Sequence, residues 1–360
     1  MIKSKVLFCA PSPSNNGGIT IWSSVIINAF FQRDTKIDLV HMPIDRSVTL
    51  THLLPRYKKM WYALKDYLFF PIKLMRFLYK GHFDVAHITS VGGGGSIRDF
   101  FFVMVCKLFH VRAIIHYHFG KLSDQLNSKT FLSKLLLIII SKADQIVVLD
   151  EKSYLSIKSR GIDKVHIIPN PVPIISENPE IENQRQSRKL LFVGHVVQEK
   201  GIFELIEAVQ NIPNISLHVY GPIHDKVRDE IYSKFKKLDF VYFYGKRSSE
   251  EIYRSMKNST LFVLPTYSEG FPMVILEAMA CKCPIISTPV GAIKEMLTYK
   301  GEIAGYLVPT HDSLKLRSMI LKCLETPSSL TRKSNIAYDK VMSTYNITVI
   351  KKQLETLWTV

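Results

Sequence analysis

Residues 261–288 read LFVLPTYSEGFPMVILEAMACKCPIIST, and this stretch decides the fold. An apolar strand is predicted over LFVLP, a polar loop over TYSEGF, a helix over MVILEAMA and a second apolar strand over PIIST. Strands joined through a helix pair in parallel, and they are apolar throughout because helices cover both faces of their sheet. The stretch therefore predicts a parallel α/β domain.

The same alternation of apolar runs and helical stretches extends through both halves of the chain. The other predicted strands are VLFCA (6–10), FDVAHI (83–88), AIIHYH (113–118), QIVVL (145–149), LLFVG (190–194), LHVYG (217–221) and VYFYG (241–245). Between the halves, residues 168–188 are rich in proline and polar side chains, as linkers are. We therefore predict two doubly wound domains with a boundary near residue 170, and a ligand cleft where they face each other.

The composition limits the classes of function. The chain has 47 Lys and Arg against 31 Asp and Glu, and the net charge of +16 favours nucleic acid, anionic lipid or a phosphorylated ligand as the partner. The five cysteines lack metal-ligand spacing and the first residues lack a signal-peptide core, so we expect a cytoplasmic protein. The strongest candidate for a membrane span, residues 131–140, is too short and contains Lys134.

The start of the helix predicted after Pro272 has the features of an anion site. Proline is accepted at the first helical position, and the backbone amides of Phe271, Met273 and Val274 would have no acceptor within the helix. Free amides at a helix start, together with the helix dipole, attract a negatively charged group. The sequence therefore predicts that this loop holds a phosphate or a similar anion.

Two carboxylates flank the predicted anion site. Glu269 lies in the loop before the helix and Glu277 lies one turn inside it, and carboxylates hold sugar and ribose by accepting hydrogen bonds from their hydroxyls. In the alternative interpretation, Glu269 is an ordinary acid favoured by the helix dipole and Glu277 is a solvated helix charge. The apolar neighbours of Glu277 argue against that alternative, because an unpaired charge among them is costly.

The segment SEGFPMVILEAMA resembles the signature of retaining glycosyltransferase family 4. Supporting resemblances are LFVGHVVQEKGIFELIEAV (191–209), LHVYGP (217–222), GYLVPTHD (305–312) and PSPSNNGGIT (11–20). The resemblance implies the GT-B fold, in which two Rossmann-like domains face a cleft and the donor is a nucleotide-diphosphate sugar. It implies an acceptor-binding domain over 1–170, a nucleotide-sugar-binding domain over 171–345 and a C-terminal helix over 346–360 that crosses back to the first domain.

The resemblance also implies roles for individual residues. Glu277 would bind the donor ribose, Glu269 would hold the transferred sugar, and Lys200 would stabilise charge on the leaving diphosphate. Glu269, Lys200 and His118 would form the catalytic set. The implied donor-binding set is Gly17, Gly18, His195, Lys200, Glu269, Gly270, Phe271, Met273, Val274 and Glu277.

Three parts of this assignment have alternatives. His195 stands where the family usually has arginine, and it either contacts phosphate with a single donor or packs in its turn. Gly17 and Gly18 either let the backbone approach a phosphate or form an ordinary turn. His118 matches the family's histidine that contacts the transferred sugar or the acceptor, but with His116 it suggests a metal or a structural role instead.

No Asp-x-Asp motif occurs in the chain, so we expect no metal and no cofactor, only a UDP-sugar or GDP-sugar donor. Residues 55–80 alternate basic and aromatic side chains, a pattern typical of helices that lie on anionic membranes. The family members that glycosylate lipid-linked acceptors use their amino-terminal domain in this way. The alternative is an amphipathic helix packed on its own sheet with its lysines in solvent.

The function predicted from the sequence is transfer of a hexose, with retention, to a glycan or lipid-linked acceptor in bacterial surface polysaccharide biosynthesis, such as lipopolysaccharide or capsule. The enzyme would be peripheral on the inner face of the cell membrane. A GT-B epimerase or phosphorylase is the alternative within the same fold. A basic nucleic-acid-binding protein is a remote alternative, since the chain has no helix-turn-helix, zinc or RNA-binding signature.

Overall fold

The structure is a computed structural model that describes residues 4–13, 18–31, 36–45, 55–172 and 186–359. The chain forms two compact units. The first unit consists of Met1–Pro171 together with Ile347–Val360, and the second consists of Val172–Asn346. Gly17, which the sequence places in the donor-binding set, lies outside the described residues.

The first unit is built on a six-stranded sheet in which all neighbouring strands are parallel. Its strands are β1 (Ser4–Ala10), β2 (Ile37–Pro43), β3 (Val85–Ser90), β4 (Arg112–Tyr117), β5 (Gln145–Val148) and β6 (Val165–Ile167). Their order in the sheet is β2-β1-β3-β4-β5-β6, so the direction in which strands are added reverses between β1 and β3. Ligands in such sheets bind beyond the carboxyl ends of the strands, at the point of reversal.

Six helices of the first unit connect these strands. They are α1 (Gly18–Phe30), α2 (Arg56–Gly81), α3 (Gly95–Leu108), α4 (Leu122–Asn127), α5 (Phe131–Lys142) and α6 (Glu151–Lys158). Helices α2, α3 and α5 bury Leu74, Phe102 and Leu136 in one shared core against the sheet. The outer positions of α5, including Phe131 and Ile138, remain exposed, so the apolar segment at 131–140 is an amphipathic surface helix and not a fully buried one.

The second unit is also built on a six-stranded parallel sheet. Its strands are β7 (Lys189–Val193), β8 (Ser216–Tyr220), β9 (Val241–Gly245), β10 (Leu261–Leu264), β11 (Ile285–Ser287) and β14 (Tyr306–Leu307). Between β11 and β14, the strands β12 (Thr298–Tyr299) and β13 (Glu302–Ile303) form a separate antiparallel pair. The order β9-β8-β7-β10-β11-β14 is that of the dinucleotide-binding fold, with its reversal between β7 and β10.

The helices of the second unit begin with a 3₁₀ turn at Gln198–Lys200. The helices that follow are α7 (Ile202–Val209), α8 (Asp225–Lys234), α9 (Ser249–Asn258), α10 (Met273–Ala280), α11 (Ile293–Leu297), α12 (Ser313–Glu325) and α13 (Pro327–Lys340). A π-helical turn, Val341–Tyr345, ends the unit. Helix α9 shows how local sequence fixes a helix start, because Ser248 and Glu251 form a reciprocal capping box around its first amides.

The C-terminal helix α14 (Ile347–Trp358) belongs to the first unit and packs against α1. Its buried side chains Ile350, Leu354 and Trp358 join Trp22 and Ile26 of α1 in a core on the sheet. This core is distinct from the core under α2, α3 and α5. The sheet of the first unit is therefore covered on both faces, as an all-parallel sheet requires.

The predicted fold class is confirmed, because the chain consists of two parallel-sheet, Rossmann-like α/β units. Each strand predicted from the apolar runs is present, with ends that shift by at most two residues. Strands β2 and β6 were missed, because β2 carries polar residues inside IDLVHMP and β6 has only three residues. No described helix combines the length and the hydropathy needed to cross a bilayer.

Candidate active site

The reversal point of the second sheet brings two charged loops together. The loop after β7 carries Lys200, and the loop after β10, the neighbouring strand, carries Glu269. The ammonium of Lys200 is in direct hydrogen-bonded contact with the carboxylate of Glu269. Both side chains are mostly buried, with 25% and 13% of their surfaces exposed. The two residues that the sequence placed in one catalytic set, 69 positions apart, therefore form one ion pair.

Backbone contacts hold the two loops against each other. The amide of Tyr267 donates to the carbonyl of Glu199 over 2.8 Å, and the hydroxyl of Thr266 donates to the same carbonyl over 3.1 Å. Gly201 follows Lys200 with a φ of 73°, and a Cβ there would lie 2.1 Å from the carbonyl oxygen of Pro265. Any other residue at 201 would therefore push the Lys200 loop away from the end of β10.

A third loop, after β11, closes around the same site. Ala292 donates its amide to the carbonyl of Gly270 over 2.9 Å. Gly291 has a φ of 55°, and a Cβ there would lie 2.2 Å from the carbonyl oxygen of Glu269. The ring of Phe271 packs edge-on against Tyr345, with 5.8 Å between ring centroids. Gly270 and Phe271 are therefore fixed in the loop directly before α10.

Helix α10 begins at Met273, as the sequence predicts, and Pro272 lies at its N-cap, just before the first helical turn in which the sequence placed it. The amides of Phe271, Met273 and Val274 have no hydrogen-bond acceptor among the described residues. Free amides at the end of a helix carry the positive part of its dipole, and they attract an anion. The helix start, like Lys200, therefore offers positive charge at the reversal point of the sheet.

Glu277 lies on α10 one turn beyond this start, and it is buried. Burial raises the pKa of Glu277 to about 7, since a carboxylate loses its hydration there. Glu277 is consequently not the solvated helix charge of the alternative interpretation. Its negative charge in turn helps to raise the pKa of the nearby Tyr253 hydroxyl, after the larger effect of burial. A buried carboxylate without a compensating cation is typical of a ligand-binding position.

His195 follows Gly194 at the carboxyl end of β7, and its side chain is exposed. His195 therefore lies at the same end of the sheet as Lys200.

Sequence reasoning missed Tyr267 and the two residues beside it, His311 and Glu204. The Tyr267 ring lies against the ring of His311, with 3.6 Å between centroids. Burial raises the pKa of the Tyr267 hydroxyl, and the carboxylate of Glu204 beside it adds to the increase. Tyr267 lies within the polar loop TYSEGF, so its position in the loop was visible in the sequence, but its contact with Glu204 depends on the pairing of β7 and β10.

The first unit places its predicted site residues around the end of β4. His118 follows Tyr117, the last residue of β4, and its ring lies 4.0 Å from that of His116 and 4.2 Å from that of Trp22. Burial lowers the pKa of His118 to about 3, and Asn170 opposes part of this shift. Gly18 is the first residue of α1 and is exposed, so it starts a helix where the sequence predicted a loop.

A third histidine, His87 on β3, joins this group and was not singled out from the sequence. Nε2 of His87 and Nδ1 of His116 are 3.2 Å apart, and the indole N–H of Trp358 donates to Nδ1 of His87 over 3.0 Å. Both nitrogens of His87 are therefore engaged in hydrogen bonds. Among the described residues, no group of three His, Cys, Asp or Glu side chains has the arrangement of a metal site.

The fold of the chain is that of GT-B glycosyltransferases. Sucrose-phosphate synthase from Thermosynechococcus elongatus matches over 99% of this chain and 98% of its own, with a TM-score of 0.77 and 19% identity. The Anabaena protein HepE, in a structure with UDP and glucose, matches over 99% of this chain and 100% of its own, with a TM-score of 0.69 and 17% identity. At such identities the likeness establishes the fold alone.

Residues 175–340, most of the second unit, match the family described as glycosyl transferases group 1. An uncharacterized glycosyltransferase of Methanocaldococcus jannaschii, MJ1178, is 35% identical over 36% of this chain and 37% of its own length. The putative teichuronic acid biosynthesis glycosyltransferase TuaC of Bacillus subtilis is 34% identical over 30% and 26%. The putative colanic acid biosynthesis glycosyltransferase WcaL of Escherichia coli is 25% identical over 56% and 50%. The match thus spans half or less of each relative.

Proposed function

We propose that this protein is a retaining glycosyltransferase of family 4 that moves a hexose from a UDP-sugar or GDP-sugar to a glycan or lipid-linked acceptor. The observation that carries the proposal is the arrangement at the reversal point of the second sheet. There, Lys200 and Glu269 form an ion pair across two adjacent strand ends, beside the free amides of α10. This arrangement suits a ligand that carries both phosphate charge and neutral hydroxyls.

The proposed chemistry assigns one task to each group. Lys200 and the amides at the start of α10 stabilise the charge that develops on the diphosphate as the glycosidic bond breaks. Glu269 accepts hydrogen bonds from the transferred sugar, and Glu277 accepts them from the ribose. When the diphosphate binds, it replaces Glu269 as the ion-pair partner of Lys200. The acceptor hydroxyl attacks the face from which the diphosphate leaves and passes its proton to a phosphate oxygen, and no second nucleophile is involved.

The relatives favour a particular setting for this reaction. TuaC and WcaL bear names from teichuronic acid and colanic acid biosynthesis, and the HepE structures contain UDP or UDP-glucose. We therefore propose a UDP-sugar as the first donor to test and a bacterial surface polysaccharide as the pathway. The reaction would take place on the cytoplasmic side of the cell membrane, where nucleotide-sugars are made.

A thermal-shift screen against UDP, GDP, ADP, CDP and their hexose conjugates tests the proposal. One nucleotide series should raise the melting temperature of the wild type and of the matched control Glu230→Gln, an exposed acid on α8, but not that of Glu277→Gln. With the stabilising donor and an acceptor extract, NMR of the product should show the donor's anomeric configuration. An inverted product, stabilisation by no nucleotide, or turnover without any acceptor, as for an epimerase, would contradict the proposal.

The outer surface of the helix layer in the first unit supports a membrane partner. The exposed side chains of α2 include Lys58, Arg76 and Lys80 together with Phe69, Ile72 and Tyr79. The neighbouring helices α3 and α5 add Phe101, Leu108, Phe131 and Ile138 beside Lys107, Lys134 and Lys142. The two acids of these helices, Asp66 and Asp99, are buried. A surface of exposed cations and apolar side chains fits anionic lipid, which complements both.

Vesicle flotation tests this partner. The wild type should bind vesicles that contain phosphatidylglycerol and not vesicles of neutral lipid. The triple variant Lys58→Glu, Arg76→Glu, Lys80→Glu should lose that binding, whereas a control with the same change in net charge, Lys226→Glu, Lys315→Glu, Lys322→Glu on the second unit, should keep it. Equal binding to both lipids, or equal loss in both variants, would contradict a specific membrane surface.

A further inference from the structure

The buried polar side chains of the first unit form a hydrogen-bonded chain that ends beside His118. The chain runs from Trp358 on the C-terminal helix through His87 on β3 to His116 on β4. All three of these side chains are fully buried. Buried polar groups are costly unless they are paired, so such a chain is retained only where it is hydrogen-bonded throughout or serves a ligand.

The direction of the hydrogen bonds along this chain is fixed by its first member. An indole nitrogen is a donor only, so Nδ1 of His87 must accept the bond from Trp358 and cannot carry a proton. In the neutral ring the proton then lies on Nε2, which donates to Nδ1 of His116 over 3.2 Å. His116, as an acceptor at Nδ1, in turn carries its own proton on Nε2.

Burial of the His87 and His116 rings favours the same neutral state. Burial lowers the pKa of His87 to about 3 and also lowers the pKa of His116 well below its ordinary value. The neighbouring imidazole of His118 lowers both values further. The carbonyl of Ile168 opposes part of the shift at His116, although Nε2 of His116 makes no hydrogen bond of normal geometry among the described residues.

The hydrogen-bonded series of side chains ends beside polar atoms that lack a hydrogen-bond partner of normal geometry among the described residues. Neither ring nitrogen of His118 has a hydrogen-bond partner of normal geometry within the described part of the chain, and the same holds for the indole nitrogen of Trp22 and Oδ1 of Asn170. The ring of His118 rests on that of His116 at 4.0 Å. Anything that turns the His116 ring therefore also moves the surface on which His118 rests.

We propose that Trp358 and His87 are positioning residues that fix the tautomer and orientation of His116, and thereby hold His118 with its nitrogens open to a neutral hydroxyl of the sugar substrate. The proposal rests on the proposed function for the role of His118. It adds that the C-terminal helix helps to position this site through Trp358, which lies 271 residues after His87 in the sequence. Neutral imidazoles and amides suit a hydroxyl, which both donates and accepts, better than they suit a phosphate or a metal ion.

Two substitutions separate the hydrogen bonds from the packing. Trp358→Phe keeps an aromatic ring but removes the N–H donor, and His87→Phe keeps a ring but removes both nitrogens. His87→Gln supplies an amide oxygen to accept from Trp358 and an amide nitrogen to donate to His116, so it should restore the direction of the chain. Ile350→Val is the matched control, because it trims a buried side chain of the same helix α14 without touching the chain.

The first measurement is long-range ¹H–¹⁵N NMR of the full-length protein labelled at histidine. In the wild type and in Ile350→Val, His87 and His116 should each show a proton on Nε2 and none on Nδ1. In Trp358→Phe, His87 should show a population with the proton on Nδ1. Unchanged tautomers in Trp358→Phe would overturn the proposal, and this result does not depend on any enzymatic activity.

The second measurement is sugar transfer with UDP affinity in parallel. Trp358→Phe and His87→Phe should lower kcat/KM for transfer about fivefold to tenfold, the effect of one lost hydrogen bond, with unchanged affinity for UDP. His87→Gln should recover most of the activity. If the loss of activity in Trp358→Phe and His87→Phe parallels the decrease in their melting temperatures, and Ile350→Val loses as much, the role of Trp358 and His87 is merely structural and the proposal is overturned. If the wild type transfers no sugar, the role proposed for His118 is wrong. The NMR measurement still tests, independently of activity, whether Trp358 fixes the tautomers of His87 and His116.

Discussion

The two units of this protein share an architecture but differ in the chemistry at the ends of their strands. Each has a six-stranded parallel sheet with one reversal of strand order. At the reversal of the second unit lie an ion pair, a free helix start and a buried carboxylate. At the strand ends of the first unit lie neutral imidazoles packed against indole rings.

Under the proposed function, this difference suits two kinds of ligand group. Charged groups are held where free amides and a lysine offset the loss of hydration. Neutral hydroxyls are held where side chains are buried, uncharged and able both to donate and to accept. Under the proposed function, the second unit binds the nucleotide-sugar through its diphosphate and through the hydroxyls that Glu269 and Glu277 hold, and His118 of the first unit contacts a neutral hydroxyl. The following variants test which unit binds which part of the ligand.

Lys200→Ala should have the largest effect. It removes the cation that stabilises the leaving diphosphate, so kcat should decrease about 10²-fold to 10³-fold, as when one charge-stabilising donor is lost. Steady-state transfer kinetics measure this decrease. The control is Lys158→Ala, which removes a lysine from the exposed ion pair with Asp163 in the first unit and should change kcat little. Equal kinetics for the two variants would argue against the role of Lys200.

His118→Ala should lower transfer by about 10²-fold and leave UDP affinity unchanged, since the imidazole belongs to the unit that does not hold the nucleotide. Transfer kinetics and isothermal titration calorimetry with UDP measure the two quantities. His166→Ala, which removes an imidazole from β6, is the control and should have no effect on either. Normal transfer by His118→Ala would show that the group around His118 is structural.

Glu277→Gln should weaken UDP binding and at the same time stabilise the free protein at alkaline pH. Burial raises the pKa of Glu277 from 4.5 to about 7, so folding favours the protonated form. The wild type therefore loses stability as the pH rises from about 4.5 to about 7, by on the order of 3 kcal/mol, and the neutral amide does not.

Melting temperatures of the wild type and Glu277→Gln between pH 4.5 and pH 8 measure this effect. The two proteins should melt together at the acid end, and the variant should melt higher above pH 7. A difference that does not change with pH would mean that Glu277 does not titrate in this range.

His195→Arg should leave kcat/KM within about threefold of the wild type or raise it, because a guanidinium supplies more donors to phosphate than an imidazole. Transfer kinetics at subsaturating donor give the most sensitive comparison. A collapse of activity would count against a phosphate contact at this position.

The smallest expected effect is that of a chelator. If Lys200 and the amides of α10 neutralise the leaving diphosphate, transfer in the presence of EDTA should equal transfer without it. A loss of turnover that magnesium or manganese restores would contradict this expectation.

Local sequence was enough for the fold and for much of the second unit's site. Buried strands such as LFVLP are short apolar runs, and the start of α10 is marked by Pro272 within the same 28 residues as Glu269 and Glu277. The family resemblance placed Glu269 and Lys200 in one catalytic set, but it did not predict their ion pair. No local pattern shows which strands are neighbours in a sheet.

The residues that position His118 could not be predicted from the sequence, because their contacts depend on the tertiary fold. His87 lies in the buried strand VAHITS, where nothing local distinguishes it from an ordinary core position, and its partner Trp358 lies 271 residues further along the sequence. The contact depends on which helix covers that face of the sheet. The packing of α14 on α1, which decides it, has no local signal.

The measurement that tests the central claim most directly is calorimetric titration of UDP into the wild type, Lys200→Ala and His118→Ala at one pH. The account predicts that the wild type and His118→Ala bind UDP with the same affinity and that Lys200→Ala binds it at least tenfold more weakly. Loss of UDP binding in His118→Ala, or full binding in Lys200→Ala, would contradict the assignment of UDP binding to the second unit and to Lys200.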